Sequence, residues 1–379
     1  MRTRTMDTMS AHRITMALRV TLSAALLVAS VSVSACTLAA RPFGVIEPNI
    51  VPSAGQTTSV VITREFMFEE KRVQISVPVD QAVYAGSESS QKSAIFIGGA
   101  SPGNWVPDYY RAFIDEKHQA AFYQAMATAL HEVRQREGLD AARYVELVTS
   151  MTQQLEYRTD PGNLAPKFPI ETYGDGYGDC DDKALLAAAI LTRDGYDVAI
   201  LVFAPEKHVA LGVRAPGLDY KQTGYGYVEM TEPSIVGIPT DKLAGGVSLA
   251  SQPVVIRIGQ GQGTYTAGAQ SEYIQGRLRE IQSALAEMQK QVSTYKDEMA
   301  SRRASLESAK RATESASDPA SQADAVRRYN AQVDEFNGLV AKSNEVANRS
   351  NQLVDAERFF ADHQMSRPQV YERLRAAAL

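Results

Sequence analysis

Cys180 stands in the turn Gly178-Asp179-Cys180-Asp181-Asp182-Lys183, and Ala184 to Leu191 follows as an apolar, helix-forming run. A cysteine at a helix start meets unpaired N–H groups and the positive end of the dipole, which favour a thiolate. A nucleophilic thiol needs a base, and His208 opens the strand-like run His208-Val209-Ala210-Leu211-Gly212-Val213. A base needs an orienting acceptor, and Glu229 lies in Tyr227-Val228-Glu229-Met230-Thr231. Cysteine at a helix start, then histidine and an acid on successive strands, is the layout of a thiol acyl-transfer site. An inert buried thiol is the structural alternative for a lone cysteine.

The chemistry predicted is attack by Cys180 on an amide carbonyl. His208 serves as general base and then acid, and Glu229 holds the imidazole tautomer. The Cys180 backbone N–H is the best-placed oxyanion donor, with Gln153 in the preceding helical segment as a second candidate. Glu232 competes with Glu229 for the acid's role. The two differ by an odd number of positions, so alternation puts them on opposite strand faces. Glu229 alternates away from Val228 and Met230 and can share a face with His208, Ala210 and Gly212. Asp179 and Asp181 flank the thiol, and their charge works against a thiolate. They also suit the cap and first turn of a helix. The alternative is a hard cation such as calcium, bound by their oxygens.

GDCDDKALL (178–186), KHVALGV (207–213) and YVEMT (227–231) resemble the transglutaminase-like superfamily, nearest to its bacterial transglutaminase-like cysteine proteinases. The runs Gln153 to Asp160 and Lys167 to Thr172 resemble the approach to the cysteine in those proteins. The resemblance covers roughly residues 105–240. It implies an α+β, papain/transglutaminase-like catalytic domain with helices packed on an antiparallel sheet, and a Cys180–His208–Glu229 triad. The family's third residue is usually Asp, often in Asp-Pro-Thr, whereas this chain has Glu229-Met230-Thr231. Some adhesin-cleaving periplasmic proteases that this stretch resembles bind calcium beside the cysteine. By that likeness Asp179 and Asp181 are the metal candidates; the thiol chemistry itself requires no cofactor.

Positioning these residues takes only part of a 379-residue chain. The net charge of -5 carries no basic signature for nucleic acid. Charged residues at 22% and apolar residues at 44% read as globular protein. Residues 1–35 read as a signal peptide: Arg2, Arg4, Arg13 and Arg19 precede an apolar run from Val20 to Val33 that is too short to span a membrane comfortably. Val33-Ser34-Ala35-Cys36 resembles a bacterial lipobox, with Cys36 acylated; an ordinary signal peptide with a chance cysteine is the alternative. Thr37 in place of Asp implies outer-membrane sorting, so the expected location is the cell envelope, facing the periplasm.

Residues 36–57 read as a tether, 58–103 as a small β element and 104–258 as the catalytic domain. Residues 259–270, with Gly259, Gly261 and Gly263, read as a linker. In 271–362, Ile274, Leu278, Ile281, Leu285, Met288, Val292, Tyr295 and Met299 form a heptad seam, and Asp318-Pro319 breaks it. Tyr329, Val333, Phe336 and Val340 line a second arm, which predicts a long antiparallel αα-hairpin. It either packs on its own catalytic domain or docks a protein partner or another copy. Residues 363–379 read as a tail. The functions left open are an envelope thiol peptidase or amidase acting on a protein or peptide, a transamidating enzyme, or a non-catalytic assembly module using the hairpin.

Overall fold

The structure is a computed structural model that describes residues 43–46, 48–97, 105–159, 165–240, 242–243 and 246–376. The signal segment and Cys36 lie outside the described residues. The described part forms one compact α+β unit.

Strands β1 (Phe43–Ile46), β2 (Ser59–Phe68) and β3 (Lys71–Asp80) open it. Helix α1 (Gln81–Ser89) and strand β4 (Ala94–Ile97) follow. β1 pairs antiparallel with β4, so part of the expected tether is a strand. β2 and β3 form an antiparallel ribbon, and Val73, Ile75, Val77 and Val79 alternate inward along β3. These side chains join the main hydrophobic core, so the N-terminal β element shares its core with the helices that follow.

The helical layer is α2 (Val106–Ile114), α3 (Ala120–Arg136), α4 (Ala141–Gln153) and α5 (Pro169–Asp175). Asp140 caps α4 through the Arg143 N–H, and Gly138 ends the α3 turn at φ 58. Strand β5 (Glu156–Tyr157) pairs in parallel with β6 (Tyr177–Gly178), which leads directly into α6 (Cys180–Arg193). Helix α6 is buried continuously from Asp182 to Leu191. The helix is enclosed by α2, α3, α4 and α5 and by the sheet, so it is apolar all round rather than along one stripe.

That sheet has the order β10-β7-β8-β9, from β7 (Val198–Phe203), β8 (His208–Val213), β9 (Gly226–Val228) and β10 (Val254–Arg257), all antiparallel. One face carries Val209, Leu211, Val213 and Val228 into the main core. The other carries Leu201, Phe203, Ala210 and Tyr227 into a smaller cluster under Leu249 and Tyr220.

The glycine-rich stretch after β10 is pinned down. Gly263 N–H donates to Gly195 O at 2.9 Å, and Asp197 N–H donates to Gly263 O at 3.0 Å. A Cβ on Gly261 would collide with the Gly195 carbonyl, so close backbone approach explains the glycine. Helices α7 (Gly268–Ser315) and α8 (Pro319–Asp362), of 48 and 44 residues, form the expected hairpin. Each is about 70 Å long or slightly less at 1.5 Å per residue. Its root packs Ile274, Leu278, Ile281, Leu353 and Ala356 around Ile235 and Ile238. Most of the expected tail is helix α9 (Arg367–Ala376), which adds Val370 and Leu374 to that root cluster.

Candidate active site

Asp179 is the N-cap of α6 and Cys180 its first helical residue. Asp179 accepts from the Asp182 N–H, and Asp182 Oδ2 accepts from the Asp179 N–H at 3.1 Å, which makes a reciprocal capping box. Asp182 Oδ1 also accepts from the Lys167 N–H at 2.6 Å, tying the turn to the loop before α5. The half-buried Cys180 lies against β8, where the Val209 backbone N–H donates to its sulfur. Burial pushes the thiol pKa up, and the charges of Asp181 and Asp179 push it further. The resting sulfur is therefore a protonated thiol.

His208 is buried at the start of β8, opposite Phe203. Its Nε2 lies 3.2 Å from Glu229 Oε2. Glu229 stands one residue beyond β9, at the point where the strand gives way to a turn. Its Oε1 accepts from the Met230 N–H at 3.0 Å, the Thr231 N–H at 2.9 Å and the Thr231 hydroxyl at 2.6 Å. Its Oε2 accepts from the Tyr227 hydroxyl. Burial alone would raise this carboxyl; His208, Thr231 and Tyr227 outweigh it and hold the pKa at about 2. Glu229 is thus a fully solvated anion whose solvent is protein. Glu232 is exposed and lines a cleft of about 300 Å³ against the hairpin root.

The structure therefore joins His208 to Glu229 directly. Cys180 it places against Val209, the residue after the histidine, without a hydrogen bond from the thiol to the imidazole. With Nε2 turned to Glu229, Nδ1 is the ring nitrogen that the carboxylate does not engage. Gln153 is the last residue of α4, and its Nε2 donates to the carbonyls of Glu229 at 2.7 Å and Ser234 at 3.0 Å. Both amide hydrogens are thereby occupied in holding the Glu229 segment, and neither is directed at an oxyanion. The Cys180 N–H, at the first helical position, has no intrahelical acceptor by geometry.

Asp179, Asp181 and Asp182 gather their carboxylates within 4.8 Å of one another. Asp182 was not singled out by sequence, although its place three residues after the cap marks it as the partner in a capping box. Burial and the Asp179 charge raise its carboxyl to about 7, and burial with Asp179 raises Asp181 as well. Both shifts favour the protonated forms of Asp181 and Asp182.

Two further residues complete the surroundings. Lys183, fully buried on α6, donates to the carbonyls of Gln153 at 2.8 Å, Leu155 at 3.0 Å and Thr231 at 3.4 Å. Tyr227 reaches both His208 and Glu229. Lys183 closes the polar turn directly before the apolar run Ala184 to Leu191, and a lysine at the threshold of a buried helix was the available signal.

No family model matches the chain, no curated protein matches it, and no solved structure matches it.

Proposed function

We propose that the chain is a thiol peptidase or amidase of the transglutaminase-like type, acting on a protein or peptide of the bacterial envelope. The observation that carries the reading is the buried pair His208 Nε2–Glu229 Oε2 at 3.2 Å, set beside a helix that begins with Cys180. The papain/transglutaminase-like description of the catalytic part rests on the same arrangement, a cysteine-headed helix packed on an antiparallel sheet that carries the histidine.

The Cys180 sulfur forms a bond to the amide carbonyl carbon as its proton passes to His208 Nδ1. The carbonyl oxygen takes the negative charge and is met by the Cys180 N–H. Collapse breaks the C–N bond, and His208 returns the proton to the leaving amine. Water, activated by the same imidazole, then cleaves the thioester and frees the thiol. Glu229 stays ionised throughout and stabilises the imidazolium. The thiol starts protonated, so the base has to act in step with the attack rather than on a preformed ion pair. Substrate engagement has to bring Nδ1 onto the thiol proton, since catalytic hydrogen bonds often tighten only in the complex.

The all-oxygen set Asp179, Asp181 and Asp182 fits calcium by its chemistry. Bound there, the cation would supply positive charge beside the thiol. Acylation of Cys36 would hold the protein at the membrane, and no helix among the described residues is long and apolar enough to cross one. The hairpin offers a surface for a protein partner beyond the substrate.

The deciding experiment is labelling of Cys180 by a thiol-directed electrophilic peptide, with Cys180→Ala as control, followed by identification of cleaved envelope proteins. Labelling and cleavage that both vanish in the variant support the reading. Turnover that persists in Cys180→Ala overturns it.

A further inference from the structure

Tyr227 sits two residues before Glu229, so the two side chains project from the same face of the chain. Its hydroxyl donates to Glu229 Oε2, the same oxygen that faces the imidazole. That hydroxyl oxygen also lies 3.3 Å from His208 Nε2. The three heavy atoms close a triangle, with a carboxylate oxygen and a phenol oxygen both within reach of Nε2. The phenol ring is fixed by its neighbours: Tyr220 packs on it at 4.9 Å between centroids and Phe203 at 6.3 Å. Tyr227 is 1% exposed, so its hydroxyl is shielded from bulk solvent.

We propose that Tyr227 is a positioning residue of this site, its hydroxyl and Glu229 Oε2 together forming the acceptor for the His208 Nε2–H. The inference rests on the reading of His208 as base and Glu229 as its acid. A lone carboxylate would concentrate its charge on the imidazole. Here the phenol draws part of that charge into its own hydrogen bond and takes a share of the N–H. The hydroxyl also keeps Oε2 from rotating away, because Oε1 is already held by Met230 and Thr231. The result is an imidazole with a fixed tautomer, its proton on Nε2, and a moderated grip on that proton.

The other titratable groups around the pair are Cys180 with Asp179 and Asp181 on the α6 side, and Lys183 beneath Glu229. Tyr220 and Glu232 act on Tyr227, and Tyr157 lies within the field of Glu229. Among the described residues, Tyr227 alone of these side chains hydrogen-bonds both His208 and Glu229.

Proton NMR of the full chain labelled with ¹⁵N-histidine reads the bond directly, and His208→Gln assigns the Nε2–H resonance. Tyr227→Phe should move that resonance downfield, because the N–H then bonds Glu229 alone. It should also shift the acidic limb of kcat/KM upward by about half a pH unit or more. Site-specific 3,5-difluorotyrosine at 227 keeps the ring and hydroxyl but donates more strongly and accepts more weakly. It should move the resonance upfield. Opposite shifts in the two variants support the proposal. A resonance unmoved in both, or moved in the same direction in both, overturns it. If Tyr227→Phe does not fold, the fluorinated protein decides alone: an upfield shift supports, any other result overturns. The NMR readout needs no substrate, so a failure of the enzyme reading would show separately, as absent turnover.

Discussion

The ammonium of Lys183 donates to the carbonyl of Gln153 at 2.8 Å, from a side chain with no exposed surface. The same ammonium reaches Leu155 and Thr231, so its three hydrogens join the end of α4 to the turn that holds Glu229. Carbonyls at a helix C-terminus carry partial negative charge, which suits a cation. The lysine thus lies on the helix of the candidate nucleophile and braces the backbone of the candidate acid. Gln153 does the same from the other side through its amide.

Lys183→Met should keep the volume of the side chain but orphan buried carbonyls, at a cost of about 3 kcal/mol or more in unfolding free energy. A pH dependence accompanies it. Burial lowers the Lys183 pKa to about 8, partly opposed by Glu229. The folded state then releases this proton before the unfolded chain does, so this group's contribution to stability rises between pH 8 and about 10.5. Urea midpoints across that range should rise for the native chain relative to Lys183→Met. Parallel curves for the two proteins would refute the assignment.

How far the sequence alone reaches can be judged residue by residue. The placement of Cys180 at a helix start, of His208 at a strand start and of Glu229 next to a strand is legible because these are local patterns. Glu229 rather than Glu232 reaches His208, but the strand ends at Val228, so alternation does not carry as far as Glu232, which lies in the bend beyond it. Tyr227, two residues from Glu229, is on the same face by alternation, but a tyrosine in a strand reads first as core. Lys183 and Gln153 were illegible as supports because their partners are carbonyls distant in sequence. The strands of the N-terminal β element and the hairpin follow from periodicity. Strand β10 and the pinned glycines at 259–263 depend on edge pairing with β7 and on contacts with Gly195, which no local window contains. Helix α9 was read as a tail because its burial depends on the hairpin root.

The root itself is held by a buried ion pair. Arg367 of α9 donates to Glu146 of α4 and to Gln270 of α7, and Tyr265 donates to the same Glu146 oxygen at 2.6 Å. Arg367→Ala leaves a buried carboxylate without its cation and should cost about 3–5 kcal/mol. Burial already raises the Glu146 carboxyl against the pull of Arg367, so the variant should relieve itself by taking up a proton. The loss should therefore be larger at pH 8 than at pH 5 in urea titrations. A loss independent of pH would mean that Glu146 does not carry the unpaired charge.

For the acidic cluster, calorimetry on the purified protein should detect calcium binding that disappears in Asp179→Asn. Binding should release protons at pH 6, because burial holds Asp182 protonated up to about 7. Running the titration in two buffers of different ionisation heat measures that release. Absence of heat at millimolar calcium would leave helix capping as the role of Asp179.

The last prediction separates the two glutamates. Glu229 Oε2 accepts from His208 and Tyr227, whereas Glu232 is exposed on the cleft at the hairpin root. Glu229→Gln keeps the shape but replaces one oxygen by an N–H donor. If that donor faces Nε2, the histidine is driven to the other tautomer, with its proton on Nδ1 where the thiol proton must land. Turnover should fall by roughly two to four orders of magnitude, the general effect of a wrong tautomer. Glu232→Gln should leave turnover within about threefold, as expected for a surface change. Stability separates them too. The Glu229 carboxyl is held at about 2 in the fold against an unfolded value near 4.5. Its contribution is complete above the unfolded pKa and is lost as pH falls through the folded one, about 3 kcal/mol in all. The acid-unfolding curve of Glu229→Gln should be flatter than that of the native chain between pH 4.5 and 2, and Glu232→Gln should track the native curve. Equal kinetic losses in both variants would detach Glu229 from the imidazole.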